Sequence, residues 1–150
     1  MAFLESMNIV GSGLTAQQLR LDVIAENVTN SSTTRTENGG AYRRKMVVFQ
    51  AENNAETFQQ ALERAAQGRG DYGVRGGVRV TEIVEDPSDL KLVYDPTHPD
   101  ANEQGYVEYP NVDMVKEVAD AMAATQAYAA NVTAFNALKT VAAKAMEIGR

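Results

Sequence analysis

His98 is the only histidine of the chain, and it stands between two carboxylates in Asp95-Pro96-Thr97-His98-Pro99-Asp100. An imidazole flanked by carboxylates could bind a metal weakly or relay a proton. No second His, no Cys and no obvious nucleophile accompanies it, whereas a zinc site takes three or four such ligands. Two prolines fix the local backbone, so the segment reads as a rigid turn. The second candidate is Gly68-Arg69-Gly70-Asp71-Tyr72-Gly73, which fits G-x-G-x-x-G. A dinucleotide site needs a strand before that motif and a helix after it. Here a Gln- and Ala-rich stretch precedes it and Val74-Arg75-Gly76-Gly77 follows. Arg69-Gly70-Asp71 within it reads as an exposed loop. No residue is assigned a catalytic, cofactor-binding or metal-binding role, and no enzyme activity is expected.

Charge narrows the partners. Twenty acidic and 14 basic residues leave a net charge of −6, and the densest basic cluster is Arg43-Arg44-Lys45 in a strand-like context. Neither nucleic acid, which is bound by phosphate neutralisation, nor anionic lipid is favoured. Zero Cys excludes disulfides and thiolate chemistry. Met1-Ala2-Phe3-Leu4-Glu5-Ser6 lacks the basic start of a cleavable signal peptide. The protein is therefore expected to be cytosolic or exported without cleavage. Ala121 to Leu138 carries no charge and has transmembrane length, but it contains Thr125, Gln126, Asn131, Thr133 and Asn136, and its apolar members are mostly Ala. A helix buried in protein is expected there, not a membrane span.

The elements that would hold these segments are two long helices. At the N-terminus Phe3, Met7, Val10, Leu14, Leu21, Ile24 and Val28 fall at alternating spacings of four and three, with Gln17 the one polar member. That is an a/d heptad seam. Gly11 and Gly13 interrupt it, each costing roughly 1 kcal/mol of helix propensity relative to Ala. The C-terminal helix follows Pro110, with Asn111 or Asp113 as N-cap, and runs to Ile148, with Gly149 ending it. Val115, Val118, Met122, Ala129, Val132, Phe135 and Leu138 form its stripe. A helix uncharged most of the way round expects cover. An intramolecular hairpin would supply part of it; the missing charge on the outer faces favours intermolecular burial as well.

Between the helices, Tyr42 to Phe49, Gly77 to Val84, Leu90 to Tyr94 and Gly105 to Tyr109 read as strands. A short helix is expected around Phe58 and Leu62, and a mobile glycine-rich loop over 68–77. The fold class is α+β: an N-terminal helix over 1–30 and a C-terminal helix over 111–150, packed as a coiled-coil-like pair, with a small β-rich middle domain over 31–110.

Two stretches carry a resemblance. The first runs from Ala25-Glu26-Asn27-Val28-Thr29-Asn30-Ser31-Ser32-Thr33-Thr34-Arg35-Thr36 to Gly39-Gly40-Ala41-Tyr42-Arg43-Arg44-Lys45. The second runs from Tyr94-Asp95-Pro96-Thr97-His98-Pro99-Asp100 through Gly105-Tyr106-Val107 to Tyr109-Pro110-Asn111-Val112-Asp113. Together, and in this order, they resemble the bacterial flagellar rod and hook family, most of all its proximal-rod members. Thr29 departs from the Ala that many axial proteins have, and 53–77 looks individual to this chain.

The resemblance implies a structural subunit whose terminal helices pack with those of many subunits into a tubular drive shaft, with the middle domain outside. Both stripes then become assembly contacts. It implies a place in the periplasmic proximal rod, transmitting torque, and export through the flagellar type III apparatus without a cleaved signal. The implied partners are copies of this chain, the proximal rod proteins FlgB and FlgF, the rod-base protein FliE and the distal rod protein FlgG. The other reading of the residues is a soluble helical-hairpin adaptor with a β insertion.

Overall fold

The computed structural model describes residues 2–37, 39–52 and 76–148. Helix α1 spans Ala2–Thr29, strands β1 Lys45–Ala51, β2 Val78–Glu85, β3 Lys91–Tyr94 and β4 Tyr106–Tyr109 follow, and helix α2 spans Met114–Ile148. The architecture is α+β, as expected. The short helix around Phe58 and Leu62, the Gly68–Gly73 motif with its Arg-Gly-Asp tripeptide, and Gly149 lie outside the described residues, as does most of the 68–77 loop.

The start of α2 is set by Asp113. Its carboxylate accepts the Val115 N–H at 3.0 Å and its carbonyl accepts the Glu117 N–H at 2.9 Å, which is N-cap geometry. At about 1.5 Å per residue, α1 reaches roughly 40 Å and α2 roughly 50 Å, and the two pack against each other as an antiparallel pair: Gly13 meets Asn131, Arg20 meets Asp120 and Asn27 meets Glu117.

Those contacts place the seam. On α1 the positions facing α2 recur every seven residues at Gly13, Arg20 and Asn27, and Ala16 and Val23 between them are buried. This seam lies one residue before the hydrophobic series Leu14, Leu21 and Val28, which is half-buried on its flank together with Phe3, Met7 and Val10; Ile24 is buried. On α2 the least exposed positions include Glu117, Ala121, Ala124, Tyr128, Asn131, Phe135, Leu138 and Ala142. Their spacings alternate four and three, a heptad seam. The expected α2 stripe therefore divides. Phe135 and Leu138 sit in the seam, whereas Val115, Val118, Met122, Ala129 and Val132 are exposed. Small residues explain the division: Ala124 is fully buried, and Ala at this part of the seam lets the helices approach closely while Val115, Val118, Met122 and Val132 stay exposed outside it. Gly13 shows the same closeness, since a Cβ there would stand 3.0 Å from Asn131 Nδ2.

The strands form two separate antiparallel pairs, β1 with β2 and β3 with β4. In the first, Lys45 faces Glu85 and Ala51 faces Val78, with a bulge after Val48 that leaves Thr81 unmatched. In the second, Lys91 faces Tyr109 and Tyr94 faces Tyr106. Gly105 closes this hairpin with φ +83°, and a Cβ there would lie 2.9 Å from the Tyr94 ring. Strand β1 begins three residues later than the pattern predicts, because Tyr42 to Arg44 are drawn into contacts with both helices.

Candidate assembly interface

Asn27 lies near the C-terminal end of α1 with only 1% of its surface exposed. A buried carboxamide has two donors and can accept two bonds, and each unfilled position costs stability. All four are filled. Nδ2 donates to Glu117 Oε2 at 3.0 Å and to the Lys45 carbonyl at 2.9 Å. Oδ1 accepts from the Tyr42 hydroxyl at 2.9 Å and the Lys45 N–H at 2.8 Å. One side chain thus ties α1 to α2 and to the start of β1.

Glu117 is fully buried, and a buried carboxylate must be paired. Its second oxygen accepts from Arg44 Nε at 2.6 Å. The same guanidinium donates to Asp120 at 3.2 Å and stands 3.8 Å from Asp86, and Arg20 donates to the other Asp120 oxygen at 3.1 Å. The Arg44 N–H donates to Asn111 Oδ1 at 2.8 Å, and Asn111 Nδ2 donates to the Ser88 hydroxyl at 2.8 Å. Burial, reinforced by the Glu26, Glu117 and Glu85 carboxylates, pushes the Tyr42 phenol up to about 12. Hydrogen bonds from Ser88, aided by Arg44, hold Asp86 below the usual carboxylate range. The basic cluster is consumed here: Lys45 pairs with Glu26 at 2.5 Å and Arg43 donates to the Ser88 carbonyl. Beside this network a cavity of about 370 Å³ is lined by Val23, Ile24, Met46, Val47 and Phe49 together with Arg20, Arg44 and Asp120.

The histidine turn is built differently. The Asp100 N–H donates to His98 Nδ1 at 3.1 Å. Asp95 is occupied by the Thr97 N–H and hydroxyl, which hold its carboxyl below the ordinary range. Asp100 accepts from the Thr34 hydroxyl at 2.8 Å and faces Arg35 at 3.7 Å. Each carboxylate is therefore engaged in tying the turn down, and Thr34–Asp100 fastens the loop after α1 to the loop before β4. Among the described residues no group of three or more His, Cys, Asp or Glu could hold a metal, and no helix is long and apolar enough to cross a membrane.

Residues 7–35 match the family model of the flagella basal body rod protein, and residues 103–148 match that of the flagellar basal body rod FlgEFG protein C-terminal. The chain is 48% identical to the flagellar basal-body rod protein FlgC of Bacillus subtilis strain 168, covering all of both chains. It is 42% identical to FlgC of Borreliella burgdorferi over 99% of this chain and 98% of that one. It is 39% identical to FlgC of Escherichia coli O157:H7 over the full length of both. The chain belongs to the FlgC family of flagellar basal-body rod proteins. It is a structural subunit of the basal-body rod.

Family membership gives the network its meaning. Asn27 falls in the first matched segment, and Asn111 and Glu117 fall in the second. Tyr42, Arg44 and Lys45 fall in neither and join the two. Of these residues, Asn27, Tyr42, Arg44, Lys45 and Asn111 stand inside the resembling motifs, but nothing in their pattern shows that they converge. Glu117 escapes a reading based on hydrophobic spacing altogether. The available signal is its phase, four before Ala121 and seven before Ala124.

Proposed function

We propose that the polar network fixes the helix pair of a proximal-rod subunit, and that the apolar side chains left outside the pair are its contacts with neighbouring subunits. The observation that carries this reading is the outward stripe of α2. Val115, Val118, Met122 and Val132 are 79%, 53%, 62% and 36% exposed. An apolar row along one helix face marks an interaction surface, and burying each such side chain contributes roughly 1.5–3 kcal/mol. On α1, Leu4 is exposed to 61% and extends the apolar surface to the other helix. The half-buried Phe3, Met7, Val10, Leu14, Leu21 and Val28 and the exposed Ala129 complete the contact set, whereas Ile24 is buried within the chain and Phe135 and Leu138 lie in the seam of the pair.

In this reading many copies pack their helix pairs side by side into a tube in the periplasm that transmits torque. The neighbours are copies of this chain, FlgB, FlgF, FliE and FlgG, and delivery is through the flagellar type III export apparatus. No reaction is assigned. The test is Val118→Glu combined with Met122→Glu in a cell whose own copy of the gene is removed. Both side chains lie outside the intramolecular seam, so the purified chain keeps its helical content. The expected result is loss of swimming and no rod beyond this subunit in isolated basal bodies. Normal swimming with normal basal bodies would overturn the proposal.

A further inference from the structure

We infer that Asn27 and Glu117 are positioning residues that select one axial register for the α1–α2 pair. The seam of α2 is smooth at Ala121 and Ala124, and that of α1 is smooth at Gly13 and Ala16. Such a surface accepts a neighbouring helix at more than one height. A slip of one heptad, about 10.5 Å, would set Asn27 against Ala124, which has no side-chain acceptor, and Gly13 against Leu138. Arg20 would leave Asp120, and Glu117 would leave Arg44 Nε, now 2.6 Å away. In the opposite direction the slip sets Pro110, which precedes α2, against Asn27. Only the observed register fills all four hydrogen-bonding positions of Asn27. A single polar position inside an apolar seam is an established means of fixing register in coiled coils. Tyr42 and Lys45 make the selection stricter: they hold the Asn27 carboxamide from the β1 side, so it cannot turn to follow a displaced partner. The inference concerns the pair within one chain and stands apart from which rod neighbours cover it.

The chain has no cysteine, which makes disulfide mapping clean. The purified full chain is made with Gly13→Cys plus Asn131→Cys, which reports the observed register, or with Gly13→Cys plus Leu138→Cys, which reports the slipped one. The first pair is expected to cross-link and the second not. Adding Asn27→Leu with Glu117→Leu should retain helix by circular dichroism and lower the ratio of native to slipped cross-link by about tenfold or more. Adding Arg44→Met with Glu117→Gln instead removes the buried ion pair but keeps Asn27 and an amide oxygen to which its Nδ2 can donate, so all four positions of Asn27 stay filled, and it should keep the native preference. A general loss of packing would not spare the register in that way. An unchanged cross-link ratio in the leucine variant overturns the inference. So does loss of helix in that variant, which would make the residues necessary for folding and not for the choice of register. Absence of the 13–131 cross-link in the otherwise unchanged chain overturns it too.

Discussion

Replacing Arg44 by methionine keeps the length and apolar stem of the side chain and removes the cation that faces Glu117. Glu117 has no exposed surface, and one of its oxygens loses a 2.6 Å charge-assisted bond. Asn27 remains on the other oxygen but supplies no charge. Breaking one side of a buried ion pair costs about 3–5 kcal/mol. The links from Arg44 to Asp120 and Asp86 are at 3.2 and 3.8 Å and involve partly exposed carboxylates, so they add under about 1 kcal/mol each. Arg20→Met provides the control. Its pair with Asp120 lies at 3.1 Å, but both side chains are about one-third exposed, and its loss should cost about 0.2–1 kcal/mol. The combined Arg44→Met and Glu117→Gln variant removes both charges, keeps an oxygen that accepts from Asn27, and should regain most of the loss, giving a coupling energy of about 2–4 kcal/mol. Urea unfolding of the unchanged chain, these three variants and the Glu117→Gln single variant, followed by circular dichroism, measures each value. If Arg44→Met costs no more than Arg20→Met, the network does not hold the helices and the account of the site fails.

Three further outcomes follow from named atoms. Tyr42 has a folded-state pKa raised to about 12 against about 10 when unfolded, so its contribution is complete below pH 10 and is lost as the pH rises toward 12. The loss is roughly 2–3 kcal/mol, and Tyr42→Phe should flatten this alkaline limb in urea unfolding at a series of pH values. Gly11 has open space where a Cβ would stand, so Gly11→Ala should stabilise the chain by about 0.5–1 kcal/mol. Gly13→Ala should gain less, because its Cβ meets Asn131 Nδ2 at 3.0 Å; paired thermal melts show the difference. Gly105→Ala places a Cβ at positive φ, 2.9 Å from Tyr94 and 3.3 Å from Pro96. It should cost at least about 1–2 kcal/mol, read as a lowered melting temperature.

Much of the fold is legible in the sequence because the two helices are long and the strand pattern alternates. The N-cap at Asp113 and all four described strands fall within three residues of where spacing and turn chemistry put them. The seam is not legible in the same way. Hydrophobic spacing selects Leu14, Leu21 and Val28, yet the contact positions are Gly13, Arg20 and Asn27. Small and polar residues are chosen there for close approach and hydrogen bonding, and a hydrophobic scan cannot score either property. The α2 stripe misleads for the complementary reason. Val115, Val118 and Met122 are bulky yet stand exposed, outside the seam with α1. The Arg43-Arg44-Lys45 cluster is visible as charge, but its meaning depends on Glu26, Glu117 and Asp120, which come from both helices.

The position of the network bears on how a rod subunit can be rigid and adaptable at once. Asn27 and Glu117 meet where α1 ends and α2 begins, and Tyr42 to Lys45 are wedged against them. At this end the angle and height of the helices are set by buried hydrogen bonds, which tolerate little displacement. From Asn131 onward, α2 presents Phe135, Leu138 and Ala142 to the seam, all only half-buried, while Val141 and Met146 remain 64% and 72% exposed. Apolar contacts are non-directional, so this end can shift to fit whatever covers it without leaving a polar group unpaired. The 42–45 segment is then more than a link to the β strands. It fixes one end of the pair, and under the proposed assembly the apolar remainder is left for neighbouring subunits to complete.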